Sequence, residues 1–212
     1  MTTWEDLYKE PDGSWLATLI GEDVFADVPF GAEQTEGEHG LELLRLLTEE
    51  NRGSISEKEF AAINKDNLYL FIGVGPALAP VWESVYFSKG RLLFQEQTLQ
   101  VREWYASFGL QTERKHREPD DHIGLELGFI AHLATLALNS LEAGDQPAAE
   151  KNLQAQRDFL TQRLLRWEPA WAELVEKHAE TNFYRGLARL MHGALLAAVE
   201  LLHVELSKET IP

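Results

Sequence analysis

The sequence contains no cysteine, and only 19 of its 212 residues are lysine or arginine. The absence of cysteine excludes disulfide bonds, thiolate zinc sites and thiol nucleophiles, and it fits a reducing compartment. Because 35 acidic residues oppose the few basic ones, the net charge is −16, which repels phosphate backbones and anionic lipids. Nucleic acid and membrane surfaces are therefore disfavoured as partners, whereas a basic peptide would be attracted.

Long hydrophobic runs are also missing. The longest uncharged run, residues 127–141, is shorter than the roughly 20 residues that a membrane span needs, so we predict a core helix there. Residues 1–13 have neither the basic nor the apolar region of a secretory signal. We therefore expect a cytoplasmic protein.

Signatures of catalysis and of cofactor binding are absent as well. The G-V-G of residues 73–75 lacks a third glycine at the required spacing and has no Gly-Lys-Ser/Thr, and no G-x-S-x-G occurs. No two of the seven histidines stand four residues apart, so no helical face carries a ready pair of metal ligands. We expect neither a catalytic residue, nor a metal, nor a cofactor.

What is present is helical periodicity. Leu41, Leu44 and Leu47 mark one amphipathic helix that begins near Glu38 and ends at residues 51–53, and the capping box of residues 56–59 begins another that runs to about Phe71. Further helices are predicted near Leu7 and Leu16, over residues 97–108, 122–143, 145–167 and 169–180, and after Thr181. With eight or nine helices and no β-α-β alternation, we predict an all-α fold, compact and bundle-like.

Two segments interrupt the helices. Residues 82–94 are rich in aromatic and β-favouring residues, which predicts a long aromatic loop, extended or forming a small hairpin, with Trp82 and Tyr86 either packed on the core or contacting a ligand. The charged residues 111–117 are polar enough to cross solvent. They form our candidate hinge between halves 1–110 and 118–212.

The segment 118–127, E-P-D-D-H-I-G-L-E-L, places two carboxylates and a histidine at the start of an apolar helix. Asp120 or Asp121 is suited to cap that helix, which leaves the other carboxylate and His122 available to face a groove. An acidic groove beside aromatic residues suits an apolar peptide that carries positive charge. The alternative is a helical metal-dependent phosphohydrolase that uses Asp121 and His122, although the two residues stand in reversed order and no ligand cluster supports them.

Three stretches resemble a known family: L-Y-L-F-I-G-V-G-P-A-L-A-P-V-W-E-S-V-Y (68–86), E-P-D-D-H-I-G-L-E-L (118–127) and H-A-E-T-N-F-Y-R (178–185). The pattern L-L-F-x-x-x-T-L-x-x-R-x-W over residues 92–104 fits it too. From about residue 56 onward the chain is similar to the TorD/DmsD redox-enzyme maturation chaperones, most of all the DmsD-like branch. These are all-helical cytosolic proteins that serve molybdenum enzymes.

The resemblance implies a non-enzymatic chaperone that binds the twin-arginine leader of a molybdopterin oxidoreductase precursor, of the DMSO or TMAO reductase kind, and delays its export until cofactor insertion and folding are complete. It implies that Leu70, Phe71 and Trp82 line the apolar part of the leader site and that Pro119, Asp121 and His122 lie at its polar edge. To this predicted site we add two neighbours in the same segments, Tyr86 and Glu118.

Departures from the family pattern concern leader preference. Asn67 stands where relatives carry a tryptophan, and Val81 where a proline often precedes the Trp82 position. Some members bind guanine nucleotide weakly or form domain-swapped dimers instead of monomers, and no residue here indicates either property. A third reading stays open beside the chaperone and the phosphohydrolase, namely an adaptor that binds a folded partner without reading a leader.

Overall fold

A computed structural model of the chain describes residues 34–51, 54–73, 75–111 and 118–204, together with Leu16, Phe25 and Val28. The regular structure of these residues is helical apart from one isolated β-bridge, so the all-α prediction is confirmed. The short helix predicted near Leu7 lies outside the described residues. The α-helices of the described part are α1 (Thr35–Glu50), α2 (Glu57–Asn67), α3 (Glu83–Phe87), α4 (Glu96–Ser107), α5 (Ile123–Glu142), α6 (Gln146–Gln162), α7 (Glu168–His178) and α8 (Asn182–Leu201).

Local sequence signals account for α1 and α2. The predicted leucine stripe of α1 is buried, and Asn51 ends the helix by donating its side-chain amide to the carbonyl of Leu47 at 2.9 Å. Ser56 caps α2, since its hydroxyl accepts a hydrogen bond from the backbone N–H of Glu59 at 3.1 Å. The predicted capping position is therefore confirmed, while α1 begins three residues before the predicted Glu38.

A five-residue π-helix, Leu68–Ile72, continues α2. The N–H of Gly73 donates to the carbonyl of Leu68 at 2.6 Å, and Gly73 has a φ of 87°, which an L side chain rarely adopts. A Cβ at Gly73 would also lie 2.3 Å from the carbonyl oxygen of Gly75. The turn that ends the π-helix therefore requires glycine.

The predicted aromatic loop was wrong over residues 83–87, which form α3. A five-residue helix is too short to be stable through its own propensity. Its first N–H groups are instead held by a distant segment, because Glu83 N donates to the carbonyl of Asp121 at 2.9 Å and Ser84 N donates to the carboxylate of Asp121 at 2.7 Å. Sequence patterns within the loop carry no sign of this contact.

Helices α4, α5 and α6 meet at an aromatic core. Phe129 of α5 lies edge-on to Phe159 of α6 with ring centroids 4.8 Å apart, and Tyr105 of α4 packs on Phe129 at 5.0 Å.

Asp145 caps α6 through the N–H of Ala148 at 3.0 Å, with Pro147 in the first turn. The helix ends at Gln162 and a short 3₁₀ turn, Leu164–Arg166, follows, so the single helix predicted to reach Trp167 is divided.

Burial of α5 is less complete than its composition predicts. The helix occupies the predicted residues, but Leu138 and Leu141 on its C-terminal half are exposed. Within the described residues α5 alone is long and apolar enough to cross a membrane, and a core helix of a soluble protein meets the same test. The predicted central position therefore holds for the first part of α5, up to Leu133, which together with Phe129 reaches the core.

Helices α7 and α8 occupy the predicted segments, and a carboxylate from α2 holds the junction between them. Asp66 accepts hydrogen bonds from the N–H of Glu180 at 3.0 Å and from both the N–H and the hydroxyl of Thr181, at 2.8 and 2.7 Å. These bonds occupy donors that precede the first turn of α8.

The chain divides into two compact units. Unit 1 consists of residues 1–80 and 169–198, and unit 2 of residues 81–168 and 199–212. Most of the predicted hinge, residues 112–117, lies outside the described part, so the hinge stays a prediction. Gln111 and Glu118 are the described residues on either side of those six, and both belong to unit 2.

The close packing of α1 on α8 within unit 1 gives the first prediction. A Cβ at Gly40 would lie 2.5 Å from the backbone nitrogen of Leu190 and 2.7 Å from the carbonyl of Gly186, neither of which can rotate away. We expect Gly40→Ala to lower the free energy of unfolding by about 1–3 kcal/mol. Urea unfolding beside Glu42→Ala, an exposed position of α1, measures it, and equal midpoints for the two variants would contradict the packing.

Candidate functional site

Two of the predicted site residues, Trp82 and His122, form an antiparallel β-bridge although they are forty positions apart in the chain. Trp82 immediately precedes α3 and His122 immediately precedes α5. Their rings meet edge to face with centroids 5.8 Å apart. Both side chains are half-buried, so an indole and an imidazole stand together at two helix starts in unit 2 with part of their surface exposed.

His122 caps α5, where we had predicted Asp120 or Asp121. Its Nδ1 accepts a hydrogen bond from the N–H of Gly124 at 3.0 Å, which requires an unprotonated Nδ1. Burial lowers the pKa of His122 to about 4. The imidazole is therefore neutral at physiological pH, with its proton on Nε2.

Asp121 lies in the interior of unit 2 and is not exposed to solvent. Its Oδ2 accepts from the N–H of Ser84 at 2.7 Å, and its Oδ1 accepts from the hydroxyl of Thr98 on α4, also at 2.7 Å. Both carboxylate oxygens are thus engaged by donors of the same unit. The residue predicted at the polar edge of the site instead joins the start of α3 to α4.

Asp120 is buried too. Its Oδ2 accepts from Nε of Arg102 at 2.7 Å, and the hydroxyl of Tyr105 donates to its backbone carbonyl at 3.3 Å. The Arg102 side chain remains about one quarter exposed, whereas Asp120 is about 1% exposed. The two adjacent aspartates are therefore both directed at α4.

The other predicted residues of unit 2 differ in their surroundings. Pro119 is buried, whereas Glu118 is half-buried and is the carboxylate of residues 118–122 with the most solvent contact. Tyr86 of α3 packs on Trp167 with ring centroids 5.2 Å apart, and burial raises the pKa of its phenol. Tyr86 thus contributes to the core of unit 2 while remaining half-buried.

Leu70 and Phe71 belong to unit 1, on the π-helix. Leu70 is fully buried. Phe71 is half-buried, stacks on Trp171 with centroids 6.2 Å apart and meets Tyr184 edge-on at 5.2 Å. Other apolar side chains on the π-helix and after it are exposed to solvent, namely Leu68, Tyr69, Ile72 and Leu78.

A buried ion pair beside Trp82 was missed from the sequence. Glu83 is fully buried, and its carboxylate accepts from Nε of Arg163 at 3.2 Å and from a terminal guanidinium nitrogen at 2.5 Å. Arg163 also donates to Gln100 of α4. Burial raises the pKa of Glu83 to about 7, against the opposing attraction of Arg163. No local pattern links residues eighty positions apart.

Glu126 is fully buried one turn into α5. Its Oε2 accepts from the indole N–H of Trp167 at 3.2 Å, and its Oε1 has no hydrogen-bond partner among the described residues. Burial raises the pKa of Glu126 well above its ordinary value, and the negative charge of Glu83 is the second largest cause. A protonated carboxyl is the form that this environment favours.

The described residues provide no set of metal ligands for the phosphohydrolase alternative. They contain no group of three or more histidine, aspartate or glutamate side chains arranged to hold a metal. Asp121 already accepts from an N–H and a hydroxyl, and Nδ1 of His122 accepts from a backbone N–H. Neither residue has the surroundings of a metal ligand.

Known proteins resemble this chain over most of its described length. The family profile described as "Nitrate reductase delta subunit" matches residues 36–173. This profile is that of the TorD family, and relatives named TorD and DmsD match the chain as well. The chain therefore belongs to the TorD/DmsD family, and the resemblance inferred from the three sequence stretches is confirmed.

Individual relatives carry the names of chaperones. "Chaperone protein TorD" of Vibrio cholerae serotype O1 (strain ATCC 39315 / El Tor Inaba N16961) is 37% identical over 155 residues, which are 73% of this chain and 66% of the relative. "Tat proofreading chaperone DmsD" of Salmonella typhi is 32% identical over 121 residues, 57% of this chain and 52% of the relative. The matches span between half and two thirds of these relatives, and they do not single out the DmsD-like branch.

The buried carboxyl of Glu126 gives a prediction on pH. Because its pKa is higher in the folded than in the unfolded chain, the folded state binds more protons, and the free energy of unfolding falls as pH rises above about 4.5. Gln resembles the protonated carboxyl and still accepts from Trp167. We expect thermal melts from about pH 5 to pH 8 to show a smaller loss of stability in Glu126→Gln than in the wild type.

The comparison controls for the other titrating groups, since they are common to both proteins. The charges that act on Glu126 are those of Glu83, Asp121 and Arg163, and all three are retained. Parallel pH profiles for the two proteins would contradict a raised pKa of Glu126 in the folded state.

Proposed function

We propose that this protein is a non-enzymatic maturation chaperone that binds the twin-arginine leader of a molybdopterin oxidoreductase precursor and assists its cofactor insertion, folding and export timing. The observation that carries the proposal is the half-buried pair of Trp82 and His122 at two helix starts. Membership of the TorD/DmsD family and the chaperone names of the relatives support it.

The pair has the chemistry that an Arg-bearing peptide needs. A guanidinium group stacks on an indole face, and a neutral His122 adds no positive charge that would repel it. Glu118, in the same segment as His122, is the carboxylate that we assign to the arginine charge, because it is half-buried whereas Asp120 and Asp121 are buried. The net charge of −16 attracts the leader over a longer range.

The apolar part of the leader requires apolar surface as well. Of the two contacts predicted in unit 1, Phe71 is half-buried with its ring partly accessible, whereas Leu70 is fully buried. We therefore assign direct contact to Phe71 and a supporting role to Leu70. Because a leader is read before export, we propose that the protein acts in the cytoplasm.

A second candidate is an adaptor that binds a folded partner without reading its leader. The observation in its favour is a set of exposed apolar side chains in unit 2, on α4 and the segment before it: Leu92, Leu93, Phe94 and Leu99. Exposed apolar patches of this kind are typical of protein interfaces. Leader titrations distinguish the two candidates.

Titration with a synthetic twin-arginine leader peptide tests the proposed function. We expect saturable binding, followed by calorimetry or tryptophan fluorescence, and clearly weaker binding when both arginines are replaced by lysine. The reason is that lysine keeps the charge but loses the planar group that stacks and forms paired hydrogen bonds. Failure of leaders from several molybdoenzyme types to bind would contradict the proposal and favour the adaptor.

The pair itself is tested by Trp82→Ala and His122→Ala. Each removes one of the two rings, and we expect each to weaken binding of the leader peptide by about tenfold, as for a central interface residue. His132→Ala is the matched control, because it removes an imidazole from the same helix, α5, about 15 Å further along its axis. Unchanged affinity in both folded variants would refute the assignment.

A further inference from the structure

One face of α4 is directed at the two aspartates that precede α5. Thr98 and Arg102 stand four residues apart, which places them on the same side of the helix. The hydroxyl of Thr98 donates to Asp121 and the guanidinium of Arg102 donates to Asp120, each at 2.7 Å. These two residues belong to the family pattern over residues 92–104, and none of the residues predicted for the leader site comes from that pattern.

From Asp121 the contacts continue to the aromatic pair. Its carboxylate accepts from Ser84 N and its carbonyl accepts from Glu83 N, which holds the residues that follow Trp82. On the other side of the bridge, Ile123 N donates to the carbonyl of Val81 at 2.9 Å. The positions of Trp82 and His122 thus follow from the placement of Asp121.

We propose that Thr98 and Arg102 are positioning residues of the leader site, which hold Asp120 and Asp121 inside unit 2 and thereby fix Trp82 and His122 against each other. The inference rests on the proposed function and changes the expected role of Asp121. It supports the site from within, and its negative charge is matched by internal donors rather than by the arginines of a leader.

Thr98 is the sharper of the two to test. It is about 1% exposed, so water cannot replace its hydroxyl without rearrangement. When the hydroxyl is removed, Oδ1 of Asp121 keeps no donor among the described residues, and the carboxylate has to move toward another donor or toward solvent. Since Asp121 is covalently bonded to His122 and hydrogen-bonded to the start of α3, both rings are displaced with it.

The experiment compares Thr98→Val, which preserves shape and removes the hydroxyl, with Thr98→Ser, which preserves the hydroxyl. Thr161→Val is the matched control in the same unit, because the hydroxyl of Thr161 donates to the carbonyls of Arg157 and Asp158, which belong to its own helix. For each protein we measure the dissociation constant of a fluorescein-labelled twin-arginine leader peptide, the melting temperature, and the NMR signals of the His122 ring without peptide.

We expect Thr98→Val to weaken peptide binding by about tenfold and to shift the His122 ring signals. Thr98→Ser should restore affinity and signals to near those of the wild type. Thr161→Val should change the melting temperature alone. Arg102→Lys, which keeps the charge but loses the planar group, is the second variant; it should shift the His122 signals, and it carries the test if Thr98→Val does not fold.

A folded Thr98→Val protein with wild-type affinity and unchanged His122 signals would overturn the inference, even if its melting temperature falls. If the wild-type protein itself does not bind the peptide, the proposed function fails. The His122 signals still decide in that case whether Thr98 and Arg102 position the pair, so the two failures are distinguishable.

Discussion

The carboxylate of Asp121 is the group on which the arrangement of unit 2 depends most. It accepts hydrogen bonds from the start of α3 and from α4. Asp121 is also followed directly in the chain by His122, the bridge residue that caps α5. A helix as short as α3 forms only where such contacts hold it. Hydrogen bonds to a carboxylate in a water-poor interior are also stronger than their exposed counterparts, so a single side chain can fix three segments.

Unit 1 also contains a buried aspartate that accepts hydrogen bonds from a distant segment. Asp66 of α2 accepts from two backbone N–H groups and one hydroxyl in the junction between α7 and α8. In each unit, a buried aspartate from one segment accepts hydrogen bonds from backbone N–H groups at the start of a helix in another segment or just before it. The donors at a helix start must be satisfied, and a carboxylate from elsewhere in the chain satisfies them while also fixing the position of the helix.

Buried charge in unit 2 costs solvation energy, and the arrangement around Glu83 partly offsets this cost. Arg163 pairs with Glu83 and donates to Gln100, so the charges are both matched and hydrogen-bonded. Glu126 has no ion pair with a described cationic residue, and it is favoured in its protonated form. A core of this kind gains little stability over an apolar one, but it restricts the ways in which α3, α4 and the 3₁₀ turn can pack.

The sequence by itself determined the helical class, the register of α1 and α2, the start of α6 and the family, because each depends on residues a few positions apart or on a contiguous motif. It also indicated Trp82 and His122 as members of one site. Only the tertiary structure decided that residues 83–87 are helical, that His122 rather than an aspartate caps α5, and that Asp121 is directed inward toward Thr98. These features depend on contacts between segments tens of residues apart, which neither helical periodicity nor local propensity encodes.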